Sequence, residues 1–283
     1  MPTIEVLDST IHYEERGSGA PIVFLHGNPS SSHAWRNVMP HVPGRLLAPD
    51  LIGMGRSGKP EIGYSFDDHA RYLDAWFDAL GLDQVVLVGH DWGGALAFDW
   101  AARHPDRVRG VAFFETIVRS LSWSELSDQA RARAERLRSP EGESLVLDQT
   151  FLIDTAFTGG VLNPLSQEEI EPYREPYPTR DSRRPLLRWA RSSPLDGDPA
   201  DVTQRLNGYQ KWLATSDDVP KLLLTFDTSP TLLITPELAA WCAANIAALE
   251  THHVGPAGHH ASEDQPEAIG TAIKDWSAKH FLV

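Results

Sequence analysis

The residues best suited to chemistry lie in one short stretch, Gly89 to Gly94, which reads GHDWGG. An apolar run, Val85 to Val88, precedes it, and a good helix-forming segment, Ala95 to Ala102, follows it. This order predicts a strand, a tight turn and a helix, with glycines where side chains would collide. In such a turn the central side chain, here Asp91, is presented at the end of the strand, where a nucleophile is needed.

The identity of that central residue determines which chemistry is available. A serine at this position would need a base beside it before it could attack. Asp91 is already ionised at neutral pH, because the ordinary pKa of an aspartate is about 3.9. Asp91 can therefore displace a leaving group from a saturated carbon unaided and form an alkyl ester. A base is then needed only for the second step, in which water hydrolyses the ester.

Three further polar residues follow predicted strands and could complete a site around Asp91: Asn28, Glu115 and His259. In open α/β sheets ligands bind outside the carboxyl ends of the strands, so these side chains are expected to converge. His259 is the candidate base for the hydrolytic water. The acid that orients it would be either Glu115 or Asp227, which follows the next strand.

Asn28 and Trp92 bring two kinds of hydrogen-bond donor to the same place. Their backbone N–H groups suit an oxyanion hole for the tetrahedral intermediate of ester hydrolysis. Their side chains add an amide NH₂ and an indole N–H. Aimed at one point, these side-chain donors would bind a departing anion.

The elements that must position these residues follow an alternating pattern. Strands followed by helices at this spacing predict a parallel sheet flanked by helices, an α/β fold. Strands are predicted within 3–14 and at 21–25, 45–50, 85–88, 108–114, 221–226 and 250–254, and helices at 30–39, 66–80, 95–102, 236–249 and 263–281.

The alternation stops between residues 116 and 219, where helical, charged and Pro-rich segments replace strands. We interpret residues 116–219 as a helical cap inserted after the sixth strand. The predicted domain organisation is therefore a core of residues 1–115 and 220–283 and a cap of residues 116–219.

Composition excludes several classes of partner. The net charge of −14 disfavours nucleic acids and anionic membranes, which bind clustered positive charge. A single cysteine, Cys242, allows no intrachain disulfide and favours a reducing compartment such as the cytoplasm. No secretory signal pattern is visible, and Pro236, Glu237 and Asn245 interrupt the most apolar long window, so we expect no membrane span.

The sequence resembles the haloalkane dehalogenases over nearly its whole length. The likeness lies in HGNPSSS at 26–32, WRN at 35–37, APDLIGMGRS at 48–57, FDDH at 66–69, GHDWGG at 89–94, FE at 114–115, YREP at 173–176, PKLL at 220–223 and GPAGHHASEDQP at 255–266. The resemblance implies an α/β-hydrolase fold that hydrolyses haloalkanes to an alcohol and a halide without a cofactor. It also implies that Asp91 is the nucleophile, His259 the base and Glu115 the acid that supports His259.

The resemblance further implies that Asn28 and Trp92 bind the halide. It selects His259 over His260 through the pattern G-P-x-x-H-x-x-x-E-D-x-P. Residues 151–160 depart from the family pattern, which leaves the substrate preference open. Candidate substrate-binding residues, for which plain core packing is the alternative, are Trp189, Phe151, Leu152, Thr231 and Leu232.

Two other clusters receive a simpler interpretation. The sequence contains two histidine pairs, at 252–253 and 259–260. Neither provides two ligands at helical spacing with a third ligand nearby, so we predict no metal site. The arginine-rich segment 131–136 is expected to form a solvated helix face.

Three other functions compete with dehalogenation. An epoxide hydrolase would share the aspartyl ester but needs acidic tyrosines, for which Tyr173, Tyr177 and Tyr209 are candidates. A luciferase-like oxygenase that needs no cofactor and a binding protein without turnover also remain possible. The predicted partners of the leading hypothesis are a small haloalkane and a halide ion, with the protein a monomer or weak homo-oligomer.

Overall fold

A computed structural model describes residues 2–227 and 229–282 of the chain. Within these residues eight strands form one mixed sheet in the order β1-β2-β4-β3-β5-β6-β7-β8. The strands are β1 (Thr3–Val6), β2 (Ser9–Gly17), β3 (Pro21–Leu25), β4 (Arg45–Pro49), β5 (Val85–Asp91), β6 (Val108–Thr116), β7 (Lys221–Phe226) and β8 (Leu249–Gly255). The strand β2 runs antiparallel to β1 and β4, and the pairs from β3 to β8 are parallel, as the alternating pattern predicts.

Helices cover the sheet and fill the predicted cap. They are α1 (Phe66–Ala79), α2 (Trp92–Arg103), α3 (Asp128–Arg138), α4 (Pro140–Leu147), α5 (Phe151–Gly159), α6 (Gln167–Arg174), α7 (Arg184–Arg191), α8 (Ala200–Thr215), α9 (Pro236–Asn245), α10 (Ala261–Asp264) and α11 (Pro266–Lys279). Helices α3 to α8 lie between β6 and β7. Helix α8 packs on α2, with the rings of Tyr209 and Phe98 5.5 Å apart, so the last cap helix joins the layer against the sheet. Among the described residues no helix combines the length and apolarity that crossing a bilayer requires.

The sheet has an apolar core on each face. Side chains alternate along a strand, so Val23 and Leu25 join the core beneath α1 and α2, while Ile22 and Phe24 join the core beneath α11. The central strands are buried on both faces for this reason. Their carboxyl ends are therefore held in fixed positions relative to one another.

Three predicted helices differ from the structure, and the one predicted at 236–249 ends at Asn245, before β8 begins at Leu249. The segment predicted as a helix at 30–39 contains two short 3₁₀ turns, Ser32–Trp35 and Met39–His41. The backbone N–H of Ser32 donates to the carboxylate of Asp50 at 2.6 Å, and Pro40 lacks the N–H that a continuous helix would use. The predicted C-terminal helix is divided into α10 and α11, with Pro266 at the start of α11.

Candidate active site

Asp91 is the last residue of β5 and stands immediately before α2. Its φ of 53° lies in the left-handed region that residues other than glycine rarely adopt. The helix passes so close to the strands that a Cβ at Gly89 would overlap Gly94, and a Cβ at Gly93 would overlap the carbonyl of Leu25. The glycines therefore permit the sharp turn that holds Asp91 at the end of the strand.

The Asp91 carboxylate is buried but surrounded by groups that favour its charged form. The backbone N–H of Asn28 donates to Oδ1 at 2.7 Å, and Nε2 of His259 lies 3.5 Å from Oδ2. The Thr116 hydroxyl donates to the Asp91 carbonyl at 2.6 Å and so fixes the backbone. Burial alone would raise the pKa of Asp91, but His259 and the Asn28 N–H outweigh burial and hold that pKa below its ordinary value. Asp91 is therefore ionised at neutral pH.

His259 bridges Asp91 and a second carboxylate, Glu115. Nδ1 of His259 lies 3.1 Å from Oε2 of Glu115, which is only 1% exposed. The backbone N–H groups of Leu233 and Ile234 also donate to Glu115, at 2.6 and 3.1 Å. Burial disfavours the imidazolium, but hydrogen bonds to Asp91 and Glu115 outweigh it and raise the pKa of His259 to about 9.

The other candidate acid, Asp227, lies elsewhere. Asp227 is exposed after β7, and its carboxylate is 3.0 Å from Nε2 of His253. The structure thus brings Glu115, and not Asp227, to His259. The role of Glu115 in catalysis stays a prediction.

The side chains of Asn28 and Trp92 both line the cavity beside Asp91. Nδ2 of Asn28 donates to the carbonyl of Leu186 at 3.1 Å, which fixes the amide orientation and leaves its second N–H for a ligand. The Trp92 ring stacks on Trp189 with centroids 4.4 Å apart. Both predicted halide donors are therefore held in place by cap residues from α7.

Comparison with known proteins places these features in a family. The α/β-hydrolase fold family matches residues 20–266. Haloalkane dehalogenases from Mesorhizobium japonicum and Agrobacterium fabrum are 46% and 45% identical to the chain, over 96% and 94% of it and 89% and 88% of their own lengths. The crystal structure of the haloalkane dehalogenase DatA from Agrobacterium tumefaciens has a TM-score of 0.92 at 43% identity, and covers 99% of this chain and 96% of its own. The chain belongs to the haloalkane dehalogenase family.

A second solved haloalkane dehalogenase, DbeA from Bradyrhizobium elkani, is 44% identical, with a TM-score of 0.94 over 99% of this chain and 98% of that one. The similarity extends over both the sheet and the cap. The predicted α/β-hydrolase fold and family are thereby confirmed.

In this haloalkane dehalogenase relative, a cavity of about 270 Å³ lies between the strand ends and the cap. Four of the five predicted substrate-binding residues line it, namely Trp189, Leu152, Thr231 and Leu232. Phe151 is not among the described lining residues. Consecutive helical side chains point about 100° apart, so Phe151 turns away where Leu152 faces inward. Its ring instead lies 5.2 Å from the guanidinium of Arg136.

The helix α3 contributes a cavity wall that the sequence reasoning missed. Its inward face consists of Gln129, Ala130, Arg133, Ala134 and Leu137. Arg133, in the arginine-rich segment that was expected to form a solvated face, is exposed but also lines the cavity. A signal was present, because Arg133 falls at helical spacing within the stripe Ala130, Ala134 and Leu137.

His260, a second cavity residue not predicted, lies beside the base. Nitrogen atoms of His90, His259 and His260 come within 4.8 Å of one another, a grouping that could hold a metal ion. His90 Nε2 is 2.8 Å from the carbonyl of His259, while both ring nitrogens of His259 face carboxylates. Burial lowers the pKa of His90 to about 3 and that of His260 well below its ordinary value. The arrangement fits two neutral neighbours that support His259 better than a ligand set.

Proposed function

We propose that this protein hydrolyses the carbon–halogen bond of small haloalkanes to give an alcohol, a halide ion and a proton. The observation that carries the proposal is an ionised aspartate, Asp91, at a strand-to-helix turn, 3.5 Å from a histidine that is paired with Glu115. The mainly apolar cavity above it suits an alkyl chain. Relatives named haloalkane dehalogenases, at 43–46% identity, support the same reaction.

In the first step an oxygen of Asp91 attacks the carbon that carries the halogen. A carbon–oxygen bond forms while the carbon–halogen bond breaks, and its electron pair leaves with the halide. No proton is transferred, so the negative charge passes from Asp91 to the halide. The free amide N–H of Asn28 and the indole N–H of Trp92 then bind this anion.

The second step requires His259 as a base, although its pKa of about 9 makes it cationic in the free protein at neutral pH. Ester formation removes the negative charge of Asp91, which is one of the groups that raise this pKa. His259 therefore releases its proton to solvent after alkylation. The neutral imidazole then accepts a proton from the water that attacks the ester carbonyl.

The buried charge of Glu115 stabilises the imidazolium as it forms again. The backbone N–H of Asn28, 2.7 Å from Oδ1 of Asp91, stabilises the oxyanion, with that of Trp92 as its partner. Collapse of the intermediate releases the alcohol and regenerates Asp91. The net proton of the reaction is the one that His259 lost after alkylation.

An epoxide hydrolase would need a tyrosine that protonates the opening oxygen. The three candidates are engaged elsewhere: Tyr173 hydrogen-bonds with Glu263, Tyr177 accepts from the N–H of Gly55 at 3.2 Å, and Tyr209 donates to the carbonyl of Ile117 at 2.5 Å. No tyrosine is among the described cavity-lining residues. This distribution favours dehalogenation over epoxide hydrolysis.

The deciding experiment measures bromide release from 1-bromobutane and 1,2-dibromoethane by the wild type and by Asp91→Asn. We expect release by the wild type and none by D91N, with circular dichroism showing that both are folded. An Asp227→Asn variant serves as a control, because it removes an exposed carboxylate outside the cavity. Absence of release from the wild type, or release by D91N, would overturn the proposal.

We also propose that the protein acts in the cytoplasm as a monomer or weak homo-oligomer. Its cysteine, Cys242, is a buried free thiol, which is compatible with a reducing compartment. The net charge of −14 disfavours association with phosphate-rich surfaces. Cell fractionation and light scattering would test the location and the oligomeric state.

A further inference from the structure

The cavity contains a cation that the proposed reaction does not use, the guanidinium of Arg133. Arg133 lies on α3 and lines the cavity beside Ala130 and Ala134. More than a third of its surface is exposed, so a solute that enters the cavity can reach it. Within residues 2–227 and 229–282, no hydrogen bond or ion pair occupies the Arg133 side chain.

The other described charged side chains that line the cavity do not form an ion pair with Arg133. The other arginine of the cavity wall, Arg119, is paired with Glu125 at 2.6 Å. Asp91 is the one carboxylate among the described lining residues, and it is already engaged by His259. His260 is neutral near pH 7, because burial lowers its pKa. Burial lowers the pKa of Arg133 and the charge of Asp91 offsets part of that effect, but an arginine stays protonated, so Arg133 presents a positive charge that no described residue pairs by contact.

The cavity that Arg133 and Asp91 both line also offers an apolar surface for an alkyl chain. The side chains of Leu137, Leu152 and Leu232 line it together with alanines of α3. A substrate with a halogen at one end and an anion at the other would match both the apolar walls and the unpaired guanidinium. A carboxylate fits a guanidinium through two parallel hydrogen bonds, which makes this pairing stronger than a neutral contact.

We propose that Arg133 binds an anionic group at the far end of the substrate, so that haloalkanoates are preferred over haloalkanes of equal length. This inference rests on the proposed dehalogenation, which would act on the same molecule at Asp91. The anion bound at Arg133 is a substrate carboxylate rather than the released halide, because Asn28 and Trp92 already supply halide donors beside Asp91.

The test compares kcat/KM for bromide release from 6-bromohexanoate and from 1-bromohexane. The proteins are the wild type, Arg133→Gln, Arg133→Lys and Arg136→Gln. The last is a matched control, because Arg136 lies on the same helix, is paired with Glu141 and does not line the cavity. We expect R133Q to lower kcat/KM for the acid about 10- to 100-fold relative to its effect on the neutral substrate, the range for a hydrogen bond between charged groups. R133K should retain part of the preference, and R136Q all of it.

The outcomes separate this inference from the proposed function. If both substrates release bromide but R133Q affects them equally, dehalogenation stands and the role of Arg133 is overturned. If R133Q weakens inhibition by added bromide but leaves the preference for the acid intact, Arg133 binds the halide rather than the substrate carboxylate, and the proposal is overturned. A preference that weakens at high ionic strength would support it, because salt screens the charge pair.

A binding measurement decides the inference even if no bromide is released, an outcome that would overturn the proposed function. Isothermal titration with hexanoate uses the same variants and needs no turnover. Binding to the wild type and to R136Q that is lost in R133Q supports an anion site at Arg133. Equal binding to wild type and R133Q, or none to the wild type, overturns it.

Discussion

The two walls of the active-site cavity are built on different physical principles. On the sheet side, Asp91 and Glu115 stand at strand ends, are 7% and 1% exposed, and accept hydrogen bonds from backbone N–H groups. On the cap side, several cavity-facing residues belong to helix α3, and a helical backbone accepts many different side chains at such positions. Ion pairs on the outside of the cap, such as Arg136 with Glu141, are exposed and contribute little to stability.

This difference implies that the sheet side of the cavity governs the chemical steps and that the cap side governs which substrate is accepted. Asp91 and Glu115, which both contact His259, lie on strands that are buried on both faces, so a change there alters the chemical steps. A side chain on α3 can change without moving a strand, so a change there alters which substrate fits. Substitutions on the two sides should therefore give different kinetic signatures.

The largest effect should come from His259→Phe on the sheet side. Phenylalanine cannot accept a proton from water, while Asp91 remains ionised and able to attack. We expect turnover to fall by about 10⁴-fold or more, with a covalent alkyl adduct on Asp91. Intact-protein mass spectrometry after incubation with 1,2-dibromoethane would detect the adduct.

The control for this variant is His253→Phe, because His253 is exposed and pairs with Asp227 outside the cavity. H253F should keep wild-type turnover and accumulate no adduct. An H259F protein that is folded, reacts with no bromoalkane and carries no adduct would contradict the two-step mechanism.

The next largest effect should come from Glu115→Gln. Glutamine keeps the shape of Glu115 but removes the charge that stabilises the His259 imidazolium. Its NH₂ would also face one of the two backbone N–H groups, of Leu233 or Ile234, that now donate to Glu115. We expect hydrolysis of the ester to slow by about 10³-fold, with stability reduced by about 1–3 kcal/mol.

Rapid-quench kinetics would separate the two steps in E115Q, and urea unfolding would measure its stability. Asp227→Asn is the matched variant, since it alters the acid that the sequence alone could not exclude. If D227N slowed hydrolysis as much as E115Q, the assignment of Glu115 would be wrong.

The sheet side was also the more predictable side from the sequence. Apolar runs and glycines mark where β3, β5 and β6 end, and buried strands leave few alternatives for the side chains that follow. The helix predicted at 30–39 was wrong because the Ser32 N–H bonds to Asp50, a contact distant in sequence. The sequence also left open which acid contacts His259, because that contact too joins residues distant in sequence. The resemblance selected Glu115.

On the cap side the sequence could not show which face of each helix turns inward. Leu152 and Phe151 are adjacent and both apolar, yet only Leu152 lines the cavity. Arg133 was predicted only as part of a solvated face, whereas it is exposed and lines the cavity as well. Helix orientation depends on packing between helices, which leaves a weaker trace in a single sequence than strand burial does.

The pH dependence of the two steps offers a more moderate test of the sheet side. Because the pKa of Asp91 is depressed, the alkylation rate should stay constant between about pH 5 and 8. Hydrolysis needs neutral His259, so its rate should fall as pH decreases. Its apparent pKa should lie below the value of about 9 in the free protein, since the ester has removed the charge of Asp91.

Single-turnover experiments across this pH range would give both profiles, and a pH indicator would report when the proton is released. We expect the proton to be released together with alkylation, before the ester is hydrolysed. An apparent pKa of hydrolysis at or above that of the free protein would mean that the charge of Asp91 does not control His259.

The smallest effects are expected from Leu87→Ala and Leu137→Ala. These two substitutions compare the packing of the sheet side and the cap side directly. Leu87 lies in β5 and is fully buried, so its truncation leaves a void in a packed core and should cost about 2–5 kcal/mol of unfolding free energy. Leu137 borders an existing cavity, and its truncation should cost only about 1 kcal/mol while it enlarges the space for substrate. Urea unfolding would measure both, and bromide release from 1-bromobutane and 1-bromohexane should shift toward the longer chain in L137A alone. Equal destabilisation by the two substitutions would show that the cap packs as tightly as the sheet, and selection could then not vary independently of the chemistry.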